Sequence, residues 1–357
     1  MANLTGTNYV AMLRAKENLV MEDRGIPEIG DDDVLLAMKS VGICGSDVKY
    51  WKYGVCGRFT LTAPMIMGHE GSGQVVKVGK KVTNLKEGDR VAIEPGIPCR
   101  KCELCKTGKY NLCPVVEFCA TPPVHGNIAQ YYKHPADFCF KLPDTVSYDE
   151  GALVEPLAVA VYSCERGGVT MNSSVLICGA GPVGLLTMFV ARHMGASNIA
   201  LTDIDDNRLS LAKQYGANHI IKVTSNDCSA LAKEVEKVMG SKPQISIECS
   251  GSDDSFRTAL YATRSGGCVV LVGRGSLEPS IPVLEAATRE VDIKGIFRYA
   301  NCFPKAIAFL ESKSVDVCPL LNHHVPLMST EDAFKAAYDR NSGAIKVIIH
   351  CDKMDKL

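Results

Sequence analysis

Residues 174–193 read SVLICGAGPVGLLTMFVARH. A short apolar, β-branched run enters Gly179-Ala180-Gly181-Pro182-Val183-Gly184, and a long apolar stretch follows with no further glycine or proline. The whole is apolar enough to suggest a membrane span, but three glycines and a proline interrupt it near its start. It therefore reads as a buried strand, a turn and a helix. In such a turn the first glycine, Gly179, permits the bend, Gly181 admits a pyrophosphate to the backbone, and Gly184 lets the helix pack closely on the strand. The phosphate then faces the helix N-terminus.

Working outward, the same alternation continues. NIALTDI, HIIKV, QISIECSG, GCVVLVG and VDIKGIF read as strands, with helices over 207–215, 229–239 and near Phe256 between them. Regular alternation predicts a parallel sheet covered by helices on both faces, an α/β doubly wound domain. NIALTDI closes on Asp203, at about the separation expected of the acid that binds the adenosine ribose hydroxyls. Its negative charge opposes a 2′-phosphate, so NAD is preferred to NADP. The other reading of Asp203 is a helix N-cap, shared with Asp205 and Asp206. Arg208 either approaches the cofactor or is a solvated helix charge.

Upstream, residues 7–150 carry short alternating runs (VLLAMKSV, GSGQVVKVG, GDRVAIEP, QYYKHP) punctuated by Gly, Pro and Asp, a mostly β pattern. After Arg298 come an amphipathic helix, a short run around His323 to Pro326, a helix over 330–338 and the strand IKVIIH. Within the β-rich half, Cys99, Cys102, Cys105 and Cys113 are spaced C-x2-C-x2-C-x7-C after Pro98. Four thiolates at that spacing let one loop wrap a tetrahedral zinc, leaving no coordination position for substrate. That zinc is structural, and catalysis lies elsewhere.

A second constellation is weaker on spacing alone. Gly68-His69-Glu70 sets an imidazole beside a carboxylate, and Cys44 in GICGSD could add a thiolate; three ligands plus water make a catalytic zinc site. Glu155 interrupts the apolar run GALVEPLAVAVY, where a carboxylate costs free energy unless a metal, its water or an arginine satisfies it.

Composition excludes several classes. Lys+Arg 39 against Asp+Glu 40 leaves a net charge of −1, so neither nucleic acid nor an anionic membrane is favoured as partner. The start, MANLTGTNYVAMLRAKENLVMED, shows no secretory pattern, and the 16 cysteines then read as free thiols of a reducing, cytoplasmic compartment.

These motifs, in this order over nearly the whole chain, resemble the zinc-containing medium-chain alcohol dehydrogenases, with GHEGSGQVVKVG as the signature. SVGICGSDVKYW, FCATPP, GALVEPLAV, ECSG and REVDIKGIFRY are similar to the sorbitol (polyol, L-iditol 2-) dehydrogenase branch. The resemblance implies a β-rich GroES-like catalytic domain over 1–157 and 299–357, and a Rossmann domain over 158–298. It implies catalytic zinc on Cys44, His69 and Glu70, with Glu155 beside the zinc-held water, where many alcohol dehydrogenases carry a third-ligand cysteine. It places substrate on Tyr50, Glu155, Arg298 and Tyr299. Cofactor contacts fall on Val183, Asp203 and Arg208, with Val272, Gly273, Arg274, Ile296, Phe297 and Arg298. Tyr299 is otherwise core, and Arg298 otherwise a hinge ion pair.

The implied reaction oxidises the C2 hydroxyl of a polyol to a ketose with NAD, sorbitol to fructose and also xylitol to xylulose. Ser46 is either the first proton carrier or a turn or cap serine. A homotetramer is implied. The four-cysteine lobe, complete here, has lost cysteines in mammalian sorbitol dehydrogenases, and Lys49 and Arg274 also depart from that branch. Rival readings are a xylitol-preferring, secondary-alcohol or threonine dehydrogenase and a non-catalytic NADH-binding protein.

Overall fold

A computed structural model of the chain describes residues 6–354. The ends of the first predicted domain, residues 1–5 and 355–357, lie outside the described residues. The chain divides into two compact units, one running to Glu155 and resuming at Phe303, the other spanning Pro156–Cys302. The sequence reading sets its limits at 157 and 298. Those lie in the helix Val154–Gly167 and in the segment between the strand Asp292–Gly295 and the helix Phe303–Glu311.

The second unit is built on six parallel strands. Their spatial order is His219–Lys222, Asn198–Asp203, Ser174–Cys178, Ile245–Glu248, Cys268–Leu271 and Asp292–Gly295. Chain order reverses beside Ser174–Cys178, the topological switch where α/β sheets bind ligands at their carboxyl ends. The glycines act as the sequence predicts. Gly179 has φ +103°, and a Cβ on Gly184 would stand 1.8 Å from the Gly179 carbonyl oxygen. The helix Pro182–His193 starts with proline at its first position, where a missing N–H costs nothing. Strand VDIKGIF ends earlier than read, at Gly295, so Ile296 and Phe297 belong to the loop that follows.

The first unit centres on a seven-stranded sheet. Cys139–Lys141, Arg90–Ile93, Glu70–Val78, Asp33–Gly42, Lys346–His350 and Leu321–Pro326 lie in that order, and Tyr131–Pro135 also pairs with Asp33–Gly42. The chain's last strand thus inserts beside its third: Ile348 opposes Gly42 and His350 opposes Ser40. Gly42 in turn opposes Glu70. Apolar side chains from these strands, with Trp51 and Phe334, form a continuous buried core.

The helix Val154–Gly167, which the sequence shows only as an apolar run, accepts Pro156 because the proline falls in its first turn. Glu155 occupies that turn too, where a carboxylate complements the positive end of the helix dipole.

Candidate functional site

Cys44, His69 and Glu70 converge in the first unit, with ligand atoms within 4.8 Å of one another. Three neighbouring segments supply them. Cys44 caps the helix Gly45–Tyr53, His69 ends the preceding loop, and Glu70 begins the strand Glu70–Val78. Asp47, wholly buried, organises the first two: its Oδ2 accepts the Cys44 N–H at 3.1 Å and its Oδ1 meets His69 Nδ1 at 3.2 Å. A carboxylate on Nδ1 fixes the tautomer that leaves Nε2 free for a metal. Burial opposes charge on His69, yet Asp47 and Cys44 together raise its pKa well above the usual value. The imidazole sits in an anionic pocket built for a cation.

Glu70 is 1% exposed, and its Oε2 is ion-paired with the Lys346 ammonium that lies against it. Lys346, also buried, donates to the Ile43 carbonyl at 3.0 Å. Burial works against its charge, but Glu70, Cys44 and Glu155 outweigh that and raise its pKa. Gly42 makes room for the pair, since a Cβ there would stand 2.3 Å from Glu70 Oε2 and 2.9 Å from Lys346 Cε. One sulfur, one imidazole and one buried carboxylate converging within 4.8 Å are a donor set that fits zinc with a position left open.

Glu155 is buried at 6% exposure, and its charge is felt by both Lys346 and Glu94. Ser46 lies half-buried in the first turn of Gly45–Tyr53; the cap itself is Cys44, so the cap reading of Ser46 fails. Tyr50, buried, stands four residues on and shares that helix face with Ser46.

The four lobe cysteines also converge within 4.8 Å. Cys99 Sγ and Cys105 Sγ are 3.9 Å apart, Cys102 Sγ and Cys105 Sγ 3.4 Å. A zinc with bonds of about 2.3 Å needs sulfurs about 3.8 Å apart in a tetrahedron. Backbone N–H groups of Lys101 and Cys102 hold the Cys99 thiol down to about 6. No cysteine of the described residues is in a disulfide. Within this lobe Tyr110 donates its hydroxyl to Glu94 Oε1 at 2.6 Å.

Glu94, unnoticed in the sequence, is pushed up to about 7 by burial, against the Tyr110 bond and with Glu155 adding repulsion. An acid raised on folding binds more protons native than unfolded, so it withdraws stability as pH rises from about 4.5 to 7. Glu94→Gln keeps an acceptor for Tyr110 and is expected to be more stable than wild type above pH 7, by about 2–3 kcal/mol, and no more stable at pH 4.5. Melting temperatures of both proteins across that range check it.

In the second unit, the cap of the helix Asp206–Gln214 is Asp205, which accepts from Asn207 and Arg208 N–H. The cap reading of Asp203 therefore fails. Its carboxylate instead accepts Ala180 N–H at 2.6 Å and Asp205 N–H at 3.0 Å, each oxygen retaining a second lone pair. Gly181 leaves open space, and the nearest atom to a Cβ there is Arg208 Nη1 at 3.9 Å. That void beside a helix N-terminus and a guanidinium fits a dinucleotide pyrophosphate. Glu248, another residue the sequence reading passed over, is buried and takes N–H bonds from Ser250 and Gly251, so it shapes the turn opposite Gly273. Val272 N–H bonds the Glu248 carbonyl, and Ile296 N–H the Leu271 carbonyl. Val183 is half-buried at the second helical position. The Arg274 and Arg298 guanidiniums both lie over the Phe297 ring, at 5.5 and 4.6 Å. Arg298 has φ +57° and Tyr299 is buried.

Residues 30–144 match the family described as alcohol dehydrogenase GroES-like domain, and residues 182–312 that described as zinc-binding dehydrogenase. Sorbitol dehydrogenase of Bos taurus is 50% identical over 356 residues, which cover 100% of this chain and 99% of that protein. The Mus musculus sorbitol dehydrogenase is 49% identical over 351 residues, 98% of each chain. Among solved structures, an Escherichia coli oxidoreductase of unknown specificity involved in membrane biogenesis superposes with a TM-score of 0.90 at 34% identity, covering 98% of this chain and 100% of that one. The chain belongs to the zinc-containing alcohol dehydrogenase family, in its sorbitol dehydrogenase branch.

Proposed function

We propose that this chain oxidises the C2 hydroxyl of a small polyol, sorbitol and also xylitol, to the ketose, using NAD and one catalytic and one structural zinc. The observation that carries the reading is the Cys44, His69, Glu70 cluster, braced by Asp47 and Lys346, in a chain half identical to sorbitol dehydrogenases over its full length. When bound, zinc supplies Lewis acidity to the hydroxyl oxygen and NAD the acceptor for hydride. Asp47 and Lys346 set the charge and orientation of the ligands beforehand, so none of that reorganisation falls in the transition state. Ser46 carries the hydroxyl proton outward, and Glu155 orients the water or alcohol at the open position. Tyr50, Arg298 and Tyr299 grip the remaining hydroxyls, each of which costs about 1–3 kcal/mol if buried unpaired.

Asp203 holds the adenosine ribose, with Gly179, Gly181, Val183, Gly184 and Arg208 around the pyrophosphate and the segments 272–274 and 296–298 completing the cofactor site. The reading extends to a cytoplasmic homotetramer. Among the described residues no helix is long and apolar enough to cross a membrane.

A polyol panel followed by NADH absorbance, with NAD and then NADP as oxidant, tests both halves of the reading. Asp203→Asn removes the charge that accepts ribose hydroxyls and opposes a 2′-phosphate. It is expected to lower kcat/KM with NAD about ten- to a hundredfold and to narrow the preference over NADP. Equal use of both cofactors by the wild type would overturn the role of Asp203. No turnover of any polyol would overturn the function.

A further inference from the structure

Away from the cysteines, a third group of metal-competent side chains stands in the first unit. Asp149 on the helix Tyr148–Ala152, His324 on Leu321–Pro326 and His350 at the end of Lys346–His350 bring ligand atoms within 4.8 Å of one another. The two strands are parallel, with Val325 opposite Ile349 and Pro326 opposite His350, and the imidazoles stack at 5.2 Å and 18°. None of these residues belongs to the dehydrogenase site.

We propose that Asp149, His324 and His350 form a binding site for a divalent late first-row transition-metal ion such as Ni2+ or Zn2+. The protonation pattern follows from the partners. His324 Nε2 meets the Leu321 carbonyl at 3.2 Å; a carbonyl only accepts, so Nε2 carries the hydrogen and Nδ1 presents a lone pair. His324 Nδ1 lies 3.0 Å from His350 Nε2, which therefore donates to it. A metal takes the place of that shared hydrogen, which passes to His350 Nδ1, 3.7 Å from Asp149 Oδ1.

The carboxylate is oriented as well. Asp149 Oδ1 accepts the Ser40 hydroxyl at 2.5 Å, while Oδ2 stands 3.7 Å from His324 Nδ1. Two of the ligands thus have an outer partner holding their far side, a carbonyl behind His324 and a serine hydroxyl on Asp149. With metal–nitrogen bonds of about 2.0–2.1 Å, nitrogens 3.0 Å apart subtend roughly 95° at the ion, near the octahedral angle and open to water on the remaining positions. Two imidazoles and one carboxylate without sulfur select borderline ions over Ca2+ and Mg2+.

Burial lowers the His350 pKa, which keeps it neutral and ligand-ready near pH 7. Asp149 and Asp352 pull the other way, while Lys353 and His324 reinforce the lowering. The ion would clip the helix carrying Asp149 to the last two strands of the sheet.

The test uses the full chain with both cysteine sites loaded with zinc, titrated calorimetrically with NiCl2 at pH 7.5 while released zinc is measured. One Ni2+ per chain, without zinc release, is expected. His324→Gln, His350→Gln and Asp149→Asn should each weaken binding at least tenfold, with NADH-linked turnover retained as the check on folding. Should a variant fail to fold, paramagnetic broadening of the His324 and His350 ring signals by Ni2+ in wild type decides the question. Absence of uptake, uptake matched by zinc release, uptake that survives in the His324→Gln, His350→Gln double variant, or ring signals left sharp overturns the proposal.

Discussion

Cys44→Ser is expected to lower polyol turnover by about three orders of magnitude or more while the melting temperature hardly moves. Metal Lewis acidity contributes several kcal/mol to the transition state, and each 1.36 kcal/mol is a factor of ten. A serine hydroxyl is a poor substitute for a thiolate at a borderline-soft ion, so zinc at this site should drop while zinc in the cysteine lobe stays. The local fold has no reason to suffer. Residue 44 is an N-cap with extended backbone (φ −93°, ψ 152°), a position that suits serine, and its N–H to Asp47 is unaffected by the side chain. Zinc content, kcat per folded chain and melting temperature on one preparation check this. Wild-type kcat in the variant would remove Cys44 from the metal centre.

Cys102→Ser reverses the pattern. Loss of one of four thiolates opens a site where a zinc would close the whole 99–113 segment, and binding of a metal there would be folding free energy. A loss of at least about 3 kcal/mol, and so of about 6–12 °C in melting temperature, is expected. A secondary effect on catalysis should follow, because Tyr110 lies between Cys105 and Cys113 and its hydroxyl holds Glu94, which sits within electrostatic reach of Glu155. Chelation of wild-type protein should reproduce the thermal shift. An unchanged melting temperature in both experiments would make the lobe a thiol cluster without structural metal.

The Rossmann sheet was legible because each strand there is a short apolar run closed by its own turn. GAGPVG carries its constraint in the backbone, independent of distant partners. The lobe was legible for the same reason, its ligands lying within fifteen residues of one another. What escaped depends on separation. Lys346 looks like an ordinary polar residue entering a strand, and only the pairing of that strand with Asp33–Gly42 lays its ammonium against Glu70. Asp47 was hidden differently: in GICGSD it reads as a turn acid, although its place three residues after Cys44 is a capping-box position. Glu94, in VAIEPG, gives no sign that burial and Glu155 will hold its proton. Helix Val154–Gly167 was obscured by Pro156, which marks a helix start as readily as a break.

The Glu70 and Lys346 pair also sets an order of events during synthesis. Ile43 and Lys346, joined in the finished protein, are 303 residues apart, so at cellular elongation rates the lysine emerges about 15–60 s after the ligands begin to appear. Throughout that interval the nascent β-rich half lacks both that ammonium and the strand that pairs beside Gly42, so its thiol, imidazole and carboxylate are less firmly positioned. Ribosome-bound chains halted before residue 346 should therefore hold metal at Cys44, His69 and Glu70 yet release it to competing chelator faster than full-length protein. The last strand acts as a latch that arrives after the cargo.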